Sequence, residues 1–130
     1  MGVEVAACER NRVVLRAPLE CNLNHKSTAF GGSLYSLGVL SGWSLLYMYL
    51  RDRRLAAQIV IHESSIAYRH PVRHDFTAEC AAGDEAVLER AAALFGRRGV
   101  ARVRLDSTVR DGGLAAVEFH GSYALLRAES

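Results

Sequence analysis

Cysteine, proline and charge of a single sign are all in short supply in this chain, and each shortage removes a class of protein. Cys8, Cys21 and Cys80 are three widely spaced cysteines in 130 residues. That number and spacing do not suit a disulfide framework, so reduced, packing thiols in a cytoplasmic protein are expected. Sixteen basic residues against fourteen acidic ones leave a formal charge of +2, too little to point to nucleic acid as a partner. The two prolines, Pro18 and Pro71, each stand at the end of a strand-like run. Internal repeats, low-complexity tracts and linkers are missing, so residues 1–130 are expected to form one domain. A chain of this size buries about two thirds of its unfolded surface. Met1–Arg12 has no apolar core segment and carries Glu4 and Glu9, so a signal peptide is not expected.

What is present is a long uncharged stretch. From Ser27 to Leu50 no residue carries a charge, and Arg51-Asp52-Arg53-Arg54 follows. The length suits a bilayer span, and Gly38 and Gly42 form a GxxxG pair. Against a span, the stretch opens with Ser27, Thr28 and two glycines and carries Ser33, Ser36, Ser41 and Ser44. No second apolar segment follows. A helix buried in the core of a globular domain answers the pattern better, and no membrane partner is expected.

Around that helix the chain alternates. Arg12–Ala17 is a β-branched strand candidate, and Leu19–Thr28 is a polar, Asn-rich loop. The helix is expected to start near Ala29–Gly32 and to run to about Arg53. Gln58–Arg69 and Phe76–Ala82 read as strands. Asp84 can cap a short helix with an apolar face of Val87, Leu88, Ala91, Leu94 and Phe95, stopped by Gly96. Val100–Arg110 and Leu114–Leu126 alternate cleanly on either side of an Asp111-Gly112-Gly113 hairpin turn. An α+β fold follows, with an antiparallel sheet curled around one long apolar helix. The basic residues cluster as well: eleven of sixteen lie in Arg51–Arg54, Arg69–Arg73 and Arg90–Arg110.

The run Asn24-His25-Lys26-Ser27-Thr28-Ala29-Phe30-Gly31-Gly32-Ser33-Leu34, leading to Gly42-Trp43, and the later Tyr68-Arg69-His70-Pro71-Val72-Arg73, resemble motifs of hotdog-fold thioesterases. The resemblance is closest to the thioesterase domain of YiiD-type proteins and covers about Leu15 to Leu126. It implies an α+β hotdog subunit working as a homodimer or dimer of dimers, with Gln58–Arg69 pairing across the interface. The implied substrate is an acyl thioester of coenzyme A or acyl carrier protein, with no permanently bound cofactor. The thioester carbonyl would accept a backbone hydrogen bond from Gly31 or Gly32 at the helix start. Removing one such preorganised donor costs about 3–4 kcal/mol in the transition state. The same glycines also suit close packing of the helix start on the sheet.

The chain departs from the hotdog pattern in one respect. Many hotdog thioesterases carry an acid in the first turns of the helix, whereas Ser33 to Ser41 contain none, and the preceding loop offers only Asn22 and Asn24. Glu63 is the best substitute base, since a carboxylate in a half-buried strand is costly unless paired or used; exposure on the solvent face is the alternative. Ser64 and Ser65 can orient a water or the carbonyl, or stand idle. Asn24 can hold a substrate carbonyl, or cap its own loop. His25 reads as a surface residue. His70 and His74 flank Pro71 without helical ligand spacing, so no metal is expected. Arg69, Arg73, Arg97 and Arg98 are candidates for the phosphates of coenzyme A or phosphopantetheine. Three functions stay open: thioester hydrolysis, decarboxylation of a malonyl-type thioester (which needs no base), and acyl-thioester binding without catalysis.

Overall fold

The structure, a computed structural model, describes residues 1–127; positions 128–130 of the domain expected over residues 1–130 lie outside the described residues. Eight elements follow one another: β1 (Glu4–Glu9), β2 (Arg12–Ala17), α1 (Gly31–Asp52), β3 (Gln58–Tyr68), β4 (Phe76–Ala81), α2 (Glu85–Arg98), β5 (Val100–Asp111) and β6 (Leu114–Leu126). A single 3-10 turn, Leu19–Cys21, follows β2. The strands form one antiparallel sheet in the order β1-β2-β4-β5-β6-β3. The inner face of that sheet wraps α1.

Alternation explains which face goes in. Ala101, Val103, Leu105 and Val109 of β5 and Val117, Phe119, Tyr123 and Leu125 of β6 are all buried, and as far as Phe119 each is followed by a polar or charged neighbour that points outward. On α1 the buried residues recur at helical spacing: Leu34, Leu37, Gly38, Ser41, Gly42, Leu45, Leu46, Tyr49 and Leu50. Each of the fully buried leucines adds about 1.5–3 kcal/mol by leaving water. The sheet covers this face alone. Ser36, Trp43 and Tyr47 on the other side remain exposed, so α1 is less enclosed than an all-round apolar helix would be. No helix among the described residues is long and apolar enough to cross a membrane.

Gly38 and Gly42 have a role other than a membrane seam. A Cβ on Gly38 would press on the Phe119 ring, and one on Gly42 would overlap the Tyr123 phenol. The missing side chains let α1 settle close to β6, where Tyr123 Oη donates to Val39 O at 2.8 Å. Ser41 Oγ donates to Gly38 O and sits 2.7 Å from Ser107 Oγ, so the two buried hydroxyls satisfy each other.

One sequence expectation about these elements needs correction, and one strand was not anticipated. The helix after Asp84 does not stop at Gly96: α2 continues to Arg98 and ends on Gly99, whose φ of 74° is left-handed. A glycine inside a helix costs only about 1 kcal/mol, whereas the turn from α2 into β5 requires a left-handed residue, which glycine adopts freely. The N-terminus also supplies a strand, β1, which pairs with β2 through a bulge. Asp84 caps α2 as expected, accepting from Ala86 N at 2.9 Å.

Candidate active site

The start of α1 is built by its loop. Ala29 N donates to Val72 O and Phe30 N to Asn22 O, which ties the chain to its surroundings on both sides as it enters the helix. Phe30, with extended φ and ψ of −66° and 133°, provides no side-chain cap. Its carbonyl takes the N–H groups of Ser33 and Leu34. The N–H groups of Gly31 and Gly32 therefore have no acceptor among the described residues. They lie at the positive end of a 22-residue helix, the place where a developing oxyanion is held best.

Asn24 is committed elsewhere. Its Oδ1 accepts from Lys26 N (2.8 Å) and Thr28 N (3.1 Å), and its Nδ2 donates to Thr28 Oγ1 (2.8 Å) and reaches Ala29 O (3.5 Å). These bonds stabilise a loop in which Ser27 adopts a φ of 63°, so the loop-capping alternative describes Asn24. His25 is exposed.

Two tyrosines join β3 to the first turns of α1. Tyr68 Oη donates to Gly31 O at 2.9 Å, and Tyr35 Oη lies 2.9 Å from Ser64 Oγ. Partial burial, aided by nearby Tyr35, pushes the Tyr68 phenol above its ordinary pKa, so it stays a neutral donor. Neither tyrosine was singled out as a site residue from the sequence, although Tyr35 lies one helical turn beyond Gly31. A phenol four residues past a bare helix start was the available signal.

Glu63 is not on this face. The β3–β6 register slips between Ile61 and Glu63, so His62 bulges out of the ladder. Ile61 faces inward with its partner Tyr123, and after the bulge Ser64 faces inward opposite Gly121. Glu63 and Ser65 are turned to the outer face. The Glu63 side chain is 79% exposed, with His62 Nε2 at 3.6 Å as its nearest ionic partner. The expectation of a half-buried carboxylate is therefore corrected. Glu63, Ser65, Arg104, His120 and Ser122 line an outer depression of about 290 Å³ that also touches Ser64 and Gly121, and there His120 Nδ1 lies 2.7 Å from Asp106. Among the described residues no Asp, Glu or His side chain bonds to Gly31, Tyr35, Ser64 or Tyr68. Cys80 is no nucleophile either, because burial raises its thiol to about 11.

The four arginines divide into two groups. Arg69 follows Tyr68 at the mouth of the site and pairs with Glu118 at 2.8 Å, while Arg73 lies nearby, its backbone N–H donating to Asp111. Arg97 and Arg98 close α2 at the opposite end of β5. From Val100 to Val109, the partner of Val117 beside Tyr68, is about 30 Å of strand. One protomer cannot bring both pairs to one phosphate.

One antiparallel sheet rolled around a long helix, with a bare Gly-Gly at the start of that helix, defines the hotdog class of thioesterase-type folds. The chain belongs to the family described as "Putative thioesterase (yiiD_Cterm)", whose model matches residues 1–127. A Chlorobaculum tepidum structure, described as of unknown function, matches with a TM-score of 0.91 and 34% identity over 98% of this chain and 84% of that one. A Shewanella oneidensis structure, described as a putative thioesterase, matches with a TM-score of 0.81 and 22% identity over 96% and 83%. A Haemophilus influenzae thioesterase matches with a TM-score of 0.76 and 13% identity over 97% and 79%, a likeness of fold alone.

Proposed function

We propose that this chain hydrolyses acyl thioesters of coenzyme A or of acyl carrier protein, holding the thioester oxygen on the N–H groups of Gly31 and Gly32. The observation that carries the proposal is that these two adjacent donors are unpaired at the start of α1. Thioester chemistry suits a site with few acids. The leaving group is an alkyl thiolate, a far weaker base than an alkoxide or an amide anion, and it departs without being protonated first. What remains is to place a water, and the Tyr35–Ser64 hydroxyl pair would do so one turn beyond the donors. The water adds to the carbonyl carbon, its proton passes to solvent, the C–S bond breaks, and acid and thiol result. The free thiols Cys8, Cys21 and Cys80 suit a cytoplasmic setting.

Turnover of an acyl-CoA and acyl-carrier panel, with products identified by mass, tests this directly. Tyr35→Phe and Ser64→Ala should each lower kcat by roughly tenfold, the worth of one well-placed hydrogen bond. Glu63→Gln should change it by less than about threefold, because the side chain is on the far face. A fall of 10²–10⁴ in Glu63→Gln is the usual signature of a lost general base; it would restore the carboxylate and reject the hydroxyl pair. The lack of a carboxylate beside Gly31 and Gly32 also favours a second reading, decarboxylation of malonyl-type thioesters. That reaction would release carbon dioxide and leave the thioester intact in the same assay.

We further propose that β3 pairs with a second copy of itself. Its outer edge, 11 residues long, has no neighbouring strand among the described residues, and it carries neither Lys nor Pro to block pairing. Two-fold antiparallel pairing places the Arg97–Arg98 end of one protomer toward the Arg69–Arg73 end of the other. That arrangement lets both pairs serve one coenzyme A or phosphopantetheine. Sedimentation at micromolar concentration should give a dimer or dimer of dimers; a clean monomer would remove both the pairing and the shared phosphate site.

A further inference from the structure

One stripe of α1 runs on from the donors. Gly32, Ser36, Val39, Leu40 and Trp43 follow at helical spacing, so a group bound at Gly32 looks straight along them. From Ser36 onward, and together with Tyr35, Ile61 of β3 and Met1, they wall a cleft of about 450 Å³ that no charged side chain lines. Trp43 closes the far end. Its Nε1 donates to Ile59 O at 3.2 Å, which bridges the gap between α1 and β3. Its ring also stacks on Tyr47, with centroids 5.1 Å apart and planes within 8°. Held by both contacts, the indole is an end wall and cannot swing freely.

We infer that this cleft takes the acyl chain of the thioester and that Trp43 sets the preferred length at chains of about ten to twelve carbons. The inference rests on the hydrolase proposal above. The eleven steps from Gly32 to Trp43 rise about 16 Å. The carbonyl stands about 3 Å off its donors on the side away from Trp43, and the thickness of the ring and of the chain end takes away about 4 Å, which leaves about 15 Å. An extended chain with bonds of about 1.5 Å advances roughly 1.3 Å per carbon, which gives the stated length.

The test is kcat/KM for acyl-CoA substrates from two to sixteen carbons, with binding of S-alkyl-CoA thioethers of the same lengths measured by calorimetry. In the unmodified protein, kcat/KM should rise about three- to fourfold per methylene up to about ten to twelve carbons and then level or fall. Trp43→Ala should raise the ratio of sixteen- to ten-carbon turnover at least tenfold. Val39→Phe, which narrows the cleft without opening its end, should move the optimum to shorter chains. A flat profile, or an optimum unmoved in both variants, overturns the assignment. So does loss of the dimer in sedimentation of Trp43→Ala with an unchanged profile, which would make the stripe a contact between two copies. Length-dependent thioether binding with no hydrolysis of any thioester would overturn the hydrolase proposal while leaving the cleft assignment standing.

Discussion

Gly32→Pro should lower kcat for thioester hydrolysis by about 10²–10³ with little change in KM, and Gly32→Ala should not. The two substitutions differ in one atom that matters: proline removes the N–H and alanine keeps it. Position 32 is the second residue of α1, where the N–H has no partner within the helix, so proline breaks no backbone bond. The residue before it is Gly31, whose lack of a Cβ relieves the crowding that proline imposes on its predecessor. Both substitutions place a Cβ 2.5 Å from the present position of the Phe30 ring. That ring is 55% exposed and free to turn outward, so the steric cost is small and common to the pair. What remains is the donor, worth about 3–4 kcal/mol when aimed at an oxyanion. A donor that acts mainly in the transition state changes kcat more than KM. Gly31→Pro, at the first helical position that proline favours, resolves which N–H carries the larger share. Wild-type kcat in both proline variants, with unchanged melting temperature, would show that the carbonyl is held elsewhere.

The sequence and the structure agree wherever alternation is uninterrupted. β5 and β6 bury the residues their period of two selects, and Asp84 caps α2 because a short acceptor before an apolar run has few other uses. The disagreements come from features that break periodicity. Ile59, Ile61 and Glu63 sit on one face of an ideal strand, which is why Glu63 reads as half-buried. One bulged residue, His62, reverses the faces and gives Ser64 the inward position. β1 left no pattern to read because five of its six residues are exposed, so neither face is selected for apolar side chains. Asn24 was ambiguous for a chemical reason: the amide that could hold a substrate carbonyl is equally able to bond its own loop. The bare N–H pair of Gly31 and Gly32 was legible in outline, since a glycine pair without a charge or cap before a long apolar run leaves donors free. Its tyrosine neighbours were not, because only the fold shows that Tyr35 meets Ser64 and Tyr68 meets Gly31.

Gly42 is where the fold should be least tolerant of a small change. A Cβ there would occupy the space of the Tyr123 hydroxyl and crowd two ring carbons. Tyr123 is fully buried, and burial holds its phenol well above the usual range, so the hydroxyl stays protonated and needs an acceptor. That acceptor is Val39 O, at 2.8 Å. In Gly42→Ala the ring must shift within a packed core, at about 1–3 kcal/mol. A hydroxyl pushed off its carbonyl without water to replace it costs about 1–3 kcal/mol more. Alanine returns about 1 kcal/mol through helix propensity, so a net loss of about 2–4 kcal/mol is expected. At fixed protein concentration this should appear in denaturant unfolding and as a fall in Tm of about 10 °C or more. Tyr123→Phe alone should cost about 1 kcal/mol, because Val39 O keeps its helical partner. In that background the ring is no longer tethered to the helix and can tilt away from a Cβ at position 42. Gly42→Ala should then cost at least about 1 kcal/mol less than it does in the wild type, a coupling of the size that neighbouring residues show. If Gly42→Ala instead raised stability, as helix propensity alone requires, or if the two changes were additive, close approach of α1 to β6 would not be what position 42 provides.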